Sequence, residues 1–232
     1  MPSVYYLANG ELPVVQAFLN LSQLPLDQKR EQPQKEDMQE IVSSLLKKEY
    51  LSMTPEGRYR LDESLAFILT AAGNAHGVFK MQRSGGKNCV LAFVNDTIVL
   101  LQEEDGGVEA MWLPHLPLAI GFVASTLEPF LNEFTGTAEV YDTPDAEQLL
   151  AGFTDRNYEL CWHCSAQCAD EALNAACFIL SNGAEQIMMT AQNGGVCVTR
   201  PSKEDMVNSL TRMFAPLHGS AMRIGGVLNG NV

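Results

Sequence analysis

Apolar residues recur at helical spacing over Leu12–Leu21, where Val14, Val15, Phe18 and Leu19 share one side. A polar loop, Asp27–Lys35, separates this helix from a second one over Lys35–Tyr50. There Met38, Ile41, Val42, Leu45 and Leu46 follow an i, i+3, i+4, i+7, i+8 pattern. Tyr50–Leu61 reads as two short extended pieces around the turn Thr54-Pro55-Glu56-Gly57. Asp62 is placed to cap a third helix, Glu63–Ala72, which Gly73-Asn74 ends.

From His76 the period changes to two. Strands are predicted at Gly77–Arg83, Asn88–Val94, Thr97–Gln102 and Val108–Leu113. Ser84-Gly85-Gly86, Asn95-Asp96 and Asp105-Gly106-Gly107 link them, as hairpin turns do. A helix over Leu116–Leu127 follows and stops at Pro129. The same order then recurs: a short helix over Asp142–Phe153, strands at Tyr158–Ser165, Leu173–Leu180, Glu185–Ala191 and Val196–Thr199, and a helix over Lys203–Phe214 stopped by Pro216. Asp105-Gly106-Gly107-Val108 corresponds to Asn193-Gly194-Gly195-Val196 at an offset of 88, and Pro129 to Pro216 at an offset of 87. Internal duplication explains this, and so do two independent meanders of similar length. The expected fold class is α+β, with two similar pseudo-twofold halves, residues 1–135 and 136–232. Each half is an antiparallel meander with flanking helices. The Gly-rich tail after His218 reads as a terminal loop.

Composition narrows the function. With 28 acidic and 15 basic residues the formal charge is −13. So acidic a chain is a poor candidate for tracking phosphates or holding an anionic membrane surface. No Lys or Arg occurs between Asn88 and Asp155, against twelve acids from Asp96 to Asp155. Turn tips and helix starts account for many of these, and an acidic face for a partner is the alternative. The first residues show no basic, then apolar, signal-peptide pattern, and the longest apolar stretch, Leu116–Ala124, is about half a membrane span. Six cysteines without an export signal fit free thiols in a reducing cytoplasm.

Candidate chemistry is sparse. Cys161, His163, Cys164 and Cys168 are the one cluster with zinc-like spacing, yet in a strand Cys161 and Cys164 face opposite ways. Neither Gly-x-Ser-x-Gly, His-Glu-x-x-His nor a Walker-type loop is present. We therefore assign no catalytic residue, no metal ligand and no cofactor from the sequence. The helix over Lys35–Tyr50 followed by Tyr50–Leu61 has winged-helix spacing, which makes a transcriptional regulator with a C-terminal sensing domain the alternative reading. Gln39, Ser43, Ser44, Lys47 and Lys48 would then face DNA. Residues 1–75 carry seven bases against ten acids, so phosphate contacts would work against the whole chain's repulsion.

The layout resembles the EspG-type proteins associated with type VII (ESX) secretion. The resemblance rests on the helix Leu12-Pro13-Val14-Val15-Gln16-Ala17-Phe18-Leu19 and on Leu45-Leu46-Lys47-Lys48-Glu49-Tyr50-Leu51 at a helix end. It continues through Arg58-Tyr59-Arg60-Leu61-Asp62, a short helix, the meander and the Leu116–Leu127 helix, followed by a second copy, over about residues 5–217. It implies a quasi-twofold fold and a cytosolic chaperone that grips the helical tip of a secreted protein partner, such as a helical hairpin. Gripping a helix needs apolar anchors within a polar rim. Trp112, Phe122, Phe130 and Phe134 are the candidate anchors, and Glu103 and Glu104 the candidate acidic contacts. Each anchor equally fits ordinary core packing.

Overall fold

The computed structural model describes residues 3–27, 33–84, 86–127, 139–141, 146–168, 174–192, 195–200 and 202–228. The chain starts with a strand, β1 (Val4–Ala8), then helices α1 (Glu11–Phe18) and α2 (Met38–Lys47). A small hairpin of β2 (Leu51–Met53) and β3 (Tyr59–Leu61) leads into α3 (Glu63–Gly73). The first meander is β4 (Gly77–Arg83), β5 (Cys89–Val94), β6 (Thr97–Glu104) and β7 (Gly107–Leu113), followed by α4 (Leu116–Leu127). The second half opens with β8 (Glu139–Tyr141) and α5 (Ala146–Thr154). It continues through β9 (Glu159–Cys168), β10 (Ala175–Ser181), β11 (Gln186–Gln192) and β12 (Gly195–Thr199), and closes with α6 (Lys203–Leu228).

Apart from the β2–β3 hairpin, these strands form one ten-stranded sheet in the order β1-β7-β6-β5-β4-β9-β10-β11-β12-β8. Each half contributes five strands in the same arrangement. The strand that precedes the helices pairs antiparallel with the last strand of the meander, β1 on β7 and β8 on β12. The first meander strands, β4 and β9, meet antiparallel at the seam, with Gly77 opposite Cys168 and Arg83 opposite Trp162. Mixed helices and an antiparallel sheet make the fold α+β, as expected. The expected division at 135/136 lies outside the described residues.

Side-chain alternation gives the sheet two apolar faces. On one, Phe79, Leu91, Phe93, Leu100, Trp162 and Ile179 pack beneath α4 and α6, which contribute Val123, Leu127, Leu210, Phe214 and Leu217. On the other, α1–α3 cover the first half through Leu12, Val15, Leu45, Leu65 and Leu69 over Val90, Val99, Leu101 and Val108. There α5 covers the second half through Phe153 over Leu180, Ile187, Met189, Val196 and Val198. Asp62 caps α3 as expected, its Oδ1 accepting from the Leu65 N–H at 2.9 Å and from the Tyr5 hydroxyl at 2.7 Å. One carboxylate thus both starts the helix and ties it to β1.

Three features depart from the sequence reading. β1 and β8 carry no local signal because they pair only with strands far along the chain. β9 extends to Cys168, past the expected Ser165, because its seam with β4 satisfies those extra backbone groups. And α6 does not stop at Pro216. Proline inside a helix removes one N–H and crowds the preceding turn, a cost of about 3 kcal/mol. But the buried stripe Met206, Leu210, Met213, Phe214 and Leu217 runs straight across it, so burial on the sheet overrides the breaker. The segment after His218, expected as a loop, continues α6 to Leu228.

Gly107, in the turn motif singled out from the sequence, is required by close approach. A Cβ there would lie 2.4 Å from the Leu7 carbonyl oxygen and 2.7 Å from the Tyr6 ring. Gly107→Ala is expected to cost about 2–3 kcal/mol by forcing β1 off β7. A lowered urea midpoint checks this, and an unchanged midpoint would show that β1 can shift without penalty.

Candidate functional site

At the β1 end of the sheet the outer edge of the strand is closed by side chains rather than by another strand. Glu11, only 3% exposed, accepts from the Ala8 N–H at 2.8 Å, from the Ser44 hydroxyl at 2.7 Å and from Lys48 Nζ at 2.6 Å. Lys48 also donates to the Tyr6 carbonyl at 3.2 Å and lies over the Tyr6 and Tyr50 rings, while the Tyr50 hydroxyl accepts from the Tyr6 N–H at 3.0 Å. Burial alone would raise the Glu11 pKa. The bonds from Lys48, Ala8 and Ser44 outweigh it and hold the carboxyl below its usual value. These groups block the edge against added strands. They also use Ser44 and Lys48, two of the five residues that a DNA-reading α2 would present.

Beside this edge, α3 and β7 frame a cleft of about 590 Å³ lined by Ser3, Glu63, Ser64, Phe67, Ile68, Trp112 and Pro114. Phe67 and Trp112 meet edge to face with centroids 6.4 Å apart, and they remain 51% and 42% exposed. Two large aromatic rings that pack on each other yet stay half in solvent are uncommon on a surface without a partner. Ser3, Ser64 and Glu63 supply polar groups around them, with Glu63 ion-paired to Arg60.

A second, polar region lies at the seam, on the face bearing α1–α3 and α5. There Lys80, His163 and Ser165 of β4 and β9 are partly buried, and Gln82 and Gln167 are exposed. Register sets Ser165 opposite Lys80 and His163 opposite Gln82. Lys80 reaches Asp27 at 2.5 Å, and the His163 ring stacks on Phe178 at 6.2 Å. Burial pushes the His163 pKa down, with Asp27 opposing.

Of the residues singled out from the sequence, Trp112 is the one placed in the cleft. Phe122 is half-buried against the core beneath α4. Phe130 and Phe134 lie outside the described residues. Glu103, at 6% exposure, turns inward and accepts from the Asn88 side chain at 2.8 Å. Glu104 pairs with Lys87 and accepts from Gln102 at 2.7 Å. Charge reversal at Glu103 would therefore disturb the fold as well as any acidic contact. Cys161 and His163 lie on one face of β9 and Cys164 on the other, so the zinc-like spacing is split by the strand. Burial raises the pKa of Cys164, and pushes that of Cys89 to about 12, as befits core thiols and not nucleophiles. Phe67 was missed. Its signal was an aromatic residue four positions after Glu63, on the polar side of a short helix.

Among the described residues no helix is long and apolar enough to cross a membrane. No protein-family model and no curated protein matches the sequence. Among solved structures, the chain is similar to the Mycobacterium tuberculosis type VII secretion system chaperone EspG5, solved in complex with the PE25–PPE41 dimer. The match has a TM-score of 0.67 and covers 92% of this chain and 96% of that one, at 7% identity. At that identity, what the two chains share is the fold.

Proposed function

We propose that this protein is a chaperone-like adaptor that binds a helical segment of a secreted protein partner, as the type VII secretion family it resembles does. The observation that carries the reading is the half-exposed Phe67–Trp112 pair in its cleft. A helix laid against a folded surface gains most of its affinity from a few apolar anchors entering such a cleft, within a polar rim that fixes register. EspG5 supports the reading at the level of fold, since the structure of that chaperone holds a protein dimer. A charge of −13 keeps a carrier with exposed aromatics soluble.

The test pairs capture with substitution. The tagged chain and its Phe67→Ser, Trp112→Ser double variant are expressed in the source cell, and bound proteins are quantified. Both positions are already half in solvent, so the variant should melt within a few degrees of wild type. The expected outcome is a predominantly helical protein held by wild type and reduced at least tenfold in the variant. Equal recovery from both would remove the cleft from the binding surface. Recovery of a defined DNA fragment instead would favour the winged-helix regulator.

A further inference from the structure

The half-exposed aromatic pair shares its cleft with one charged side chain among the described residues, and that side chain is acidic. Glu63 precedes Phe67 by one turn of α3, so the two lie on one face of the helix, and Ser64 and Ile68 repeat the spacing beside them. Ile68 is buried, whereas Glu63 and Ser64 reach solvent. Trp112 of β7 and Pro114 just beyond it add further apolar surface, and Ser3 adds a hydroxyl. Apolar wall and oxygen acceptors therefore stand side by side, with no basic residue among the described lining. The Glu63 carboxylate is met by Arg60 at the surface, where the two side chains are 80% and 62% exposed.

We infer that the cleft reads an arginine on the partner's helix, its methylene stem along Phe67, Trp112 and Pro114 and its guanidinium at Glu63. The inference rests on the adaptor reading and adds to it the charge of the residue that the cleft selects. A purely apolar anchor would satisfy the rings but draw water away from the carboxylate without replacing it. An acidic anchor would set like charges together. A cationic group on an aliphatic stem meets both parts of the cleft at once. Arginine fits better than lysine. Its planar guanidinium stacks on an aromatic face, offers a fork of donors to a carboxylate and nearby hydroxyls, and holds its hydration water more weakly than an ammonium does. Over longer range, the charge of −13 draws a basic segment towards the chain. Arg60 already makes the guanidinium–carboxylate contact from within the chain. At that exposure the pair is worth little, so an arginine that also stacks on the rings displaces it.

The experiment titrates the ¹⁵N-labelled 232-residue chain with Nα-acetyl-arginine methylamide and follows the tryptophan indole N–H signals by NMR. The chain has two tryptophans, and Trp162, being fully buried, is the internal reference for Trp112. Trp112 should shift saturably while Trp162 stays in place. Nα-acetyl-citrulline methylamide, which has nearly the same shape without the charge, should bind at least tenfold more weakly. Glu63→Gln should bring the arginine probe down to the citrulline level and melt within a few degrees of wild type, because the side chain is largely in solvent. Arg60→Ala removes the competitor and should tighten arginine binding about two- to fivefold, the worth of an exposed ion pair. The inference is overturned if Glu63→Gln binds as wild type does, or if Arg60→Ala binds more weakly. If both probes bind equally and Phe67→Ser removes both, the preference for charge falls and the helical-partner reading stands. A Trp112 signal that neither probe moves also overturns the inference, and capture with the Phe67→Ser, Trp112→Ser chain then decides the adaptor reading by itself.

Discussion

Replacing Glu11 by alanine should destabilise the protein by about 2–4 kcal/mol and free the β1 edge. The carboxylate is nearly inaccessible and accepts from three donors, the Ala8 N–H, the Ser44 hydroxyl and Lys48 Nζ. Removing it strands a backbone donor and a hydroxyl, and it leaves an ammonium without its counter-ion. Lys48 keeps about a third of its side chain in water, which is why the expected loss sits below that of a fully buried pair. Glu11→Gln keeps one acceptor oxygen, for the Ala8 N–H, and its amide can donate to the Ser44 hydroxyl, so its loss should be about half. The pH dependence separates charge from hydrogen bonding. The Glu11 pKa is depressed in the fold, so its contribution is complete above the unfolded value near 4.5 and disappears as pH falls through the lower folded value. Urea titrations between pH 6 and pH 3 should show wild type losing stability over that range and Glu11→Gln losing less. Parallel curves would show that Lys48 is not coupled to Glu11.

A milder acid effect should precede it. Burial lowers the pKa of both His76 and His163. His76 Nε2 is buried without a hydrogen-bond partner among the described residues. Stability that depends on the neutral rings is present above about pH 6.5 and is lost as pH falls through their depressed folded values. Histidine chemical shifts followed by NMR would locate both titrations. A midpoint at or above the ordinary value for His76 would contradict its burial.

How much of this was legible in the sequence follows from how local each interaction is. The two meanders are written locally. Alternating runs such as Gly77–Arg83, broken by Asn95-Asp96 or Asp105-Gly106-Gly107, need only neighbouring residues, and Gly77–Arg83 and Leu116–Leu127 were placed to the residue. The edge strands are not local. Val4–Ala8 pairs with residues a hundred positions away, and its outward groups are answered by Tyr50, Lys48 and Glu11 from other elements. The end of α6 was misread for the same reason, because a tertiary stripe outweighs one proline. In the candidate site Trp112 was visible as an aromatic near a helix, but its partner Phe67 is forty-five positions earlier and meets it only through the packing of α3 on β7.

That seam sets the second large expectation. α6 is the last element of the second half, yet it packs on β4 and β5 of the first half as well as on β9 and α4. Phe214 is the residue that crosses over. Its ring lies 4.6 Å from Phe79 and 5.7 Å from Phe93, and it is fully buried. Truncating it removes a large apolar side chain and leaves a cavity that the flanking strands cannot close without bending the sheet. Phe214→Ala should therefore cost about 3–5 kcal/mol. Beyond the size of the loss, its distribution is informative. If α6 holds the two halves together, hydrogen exchange should accelerate in β4, β5 and β9 across the seam. It should change little at β1 and β7, which lie at the far end of the sheet. Phe153→Ala is the comparison, since that ring packs beneath α5 within the second half alone. It should loosen β11 and β12 and leave β4 protected. Equal patterns of exchange in the two variants would mean that the sheet melts as one unit, and that α6 covers the seam without holding it.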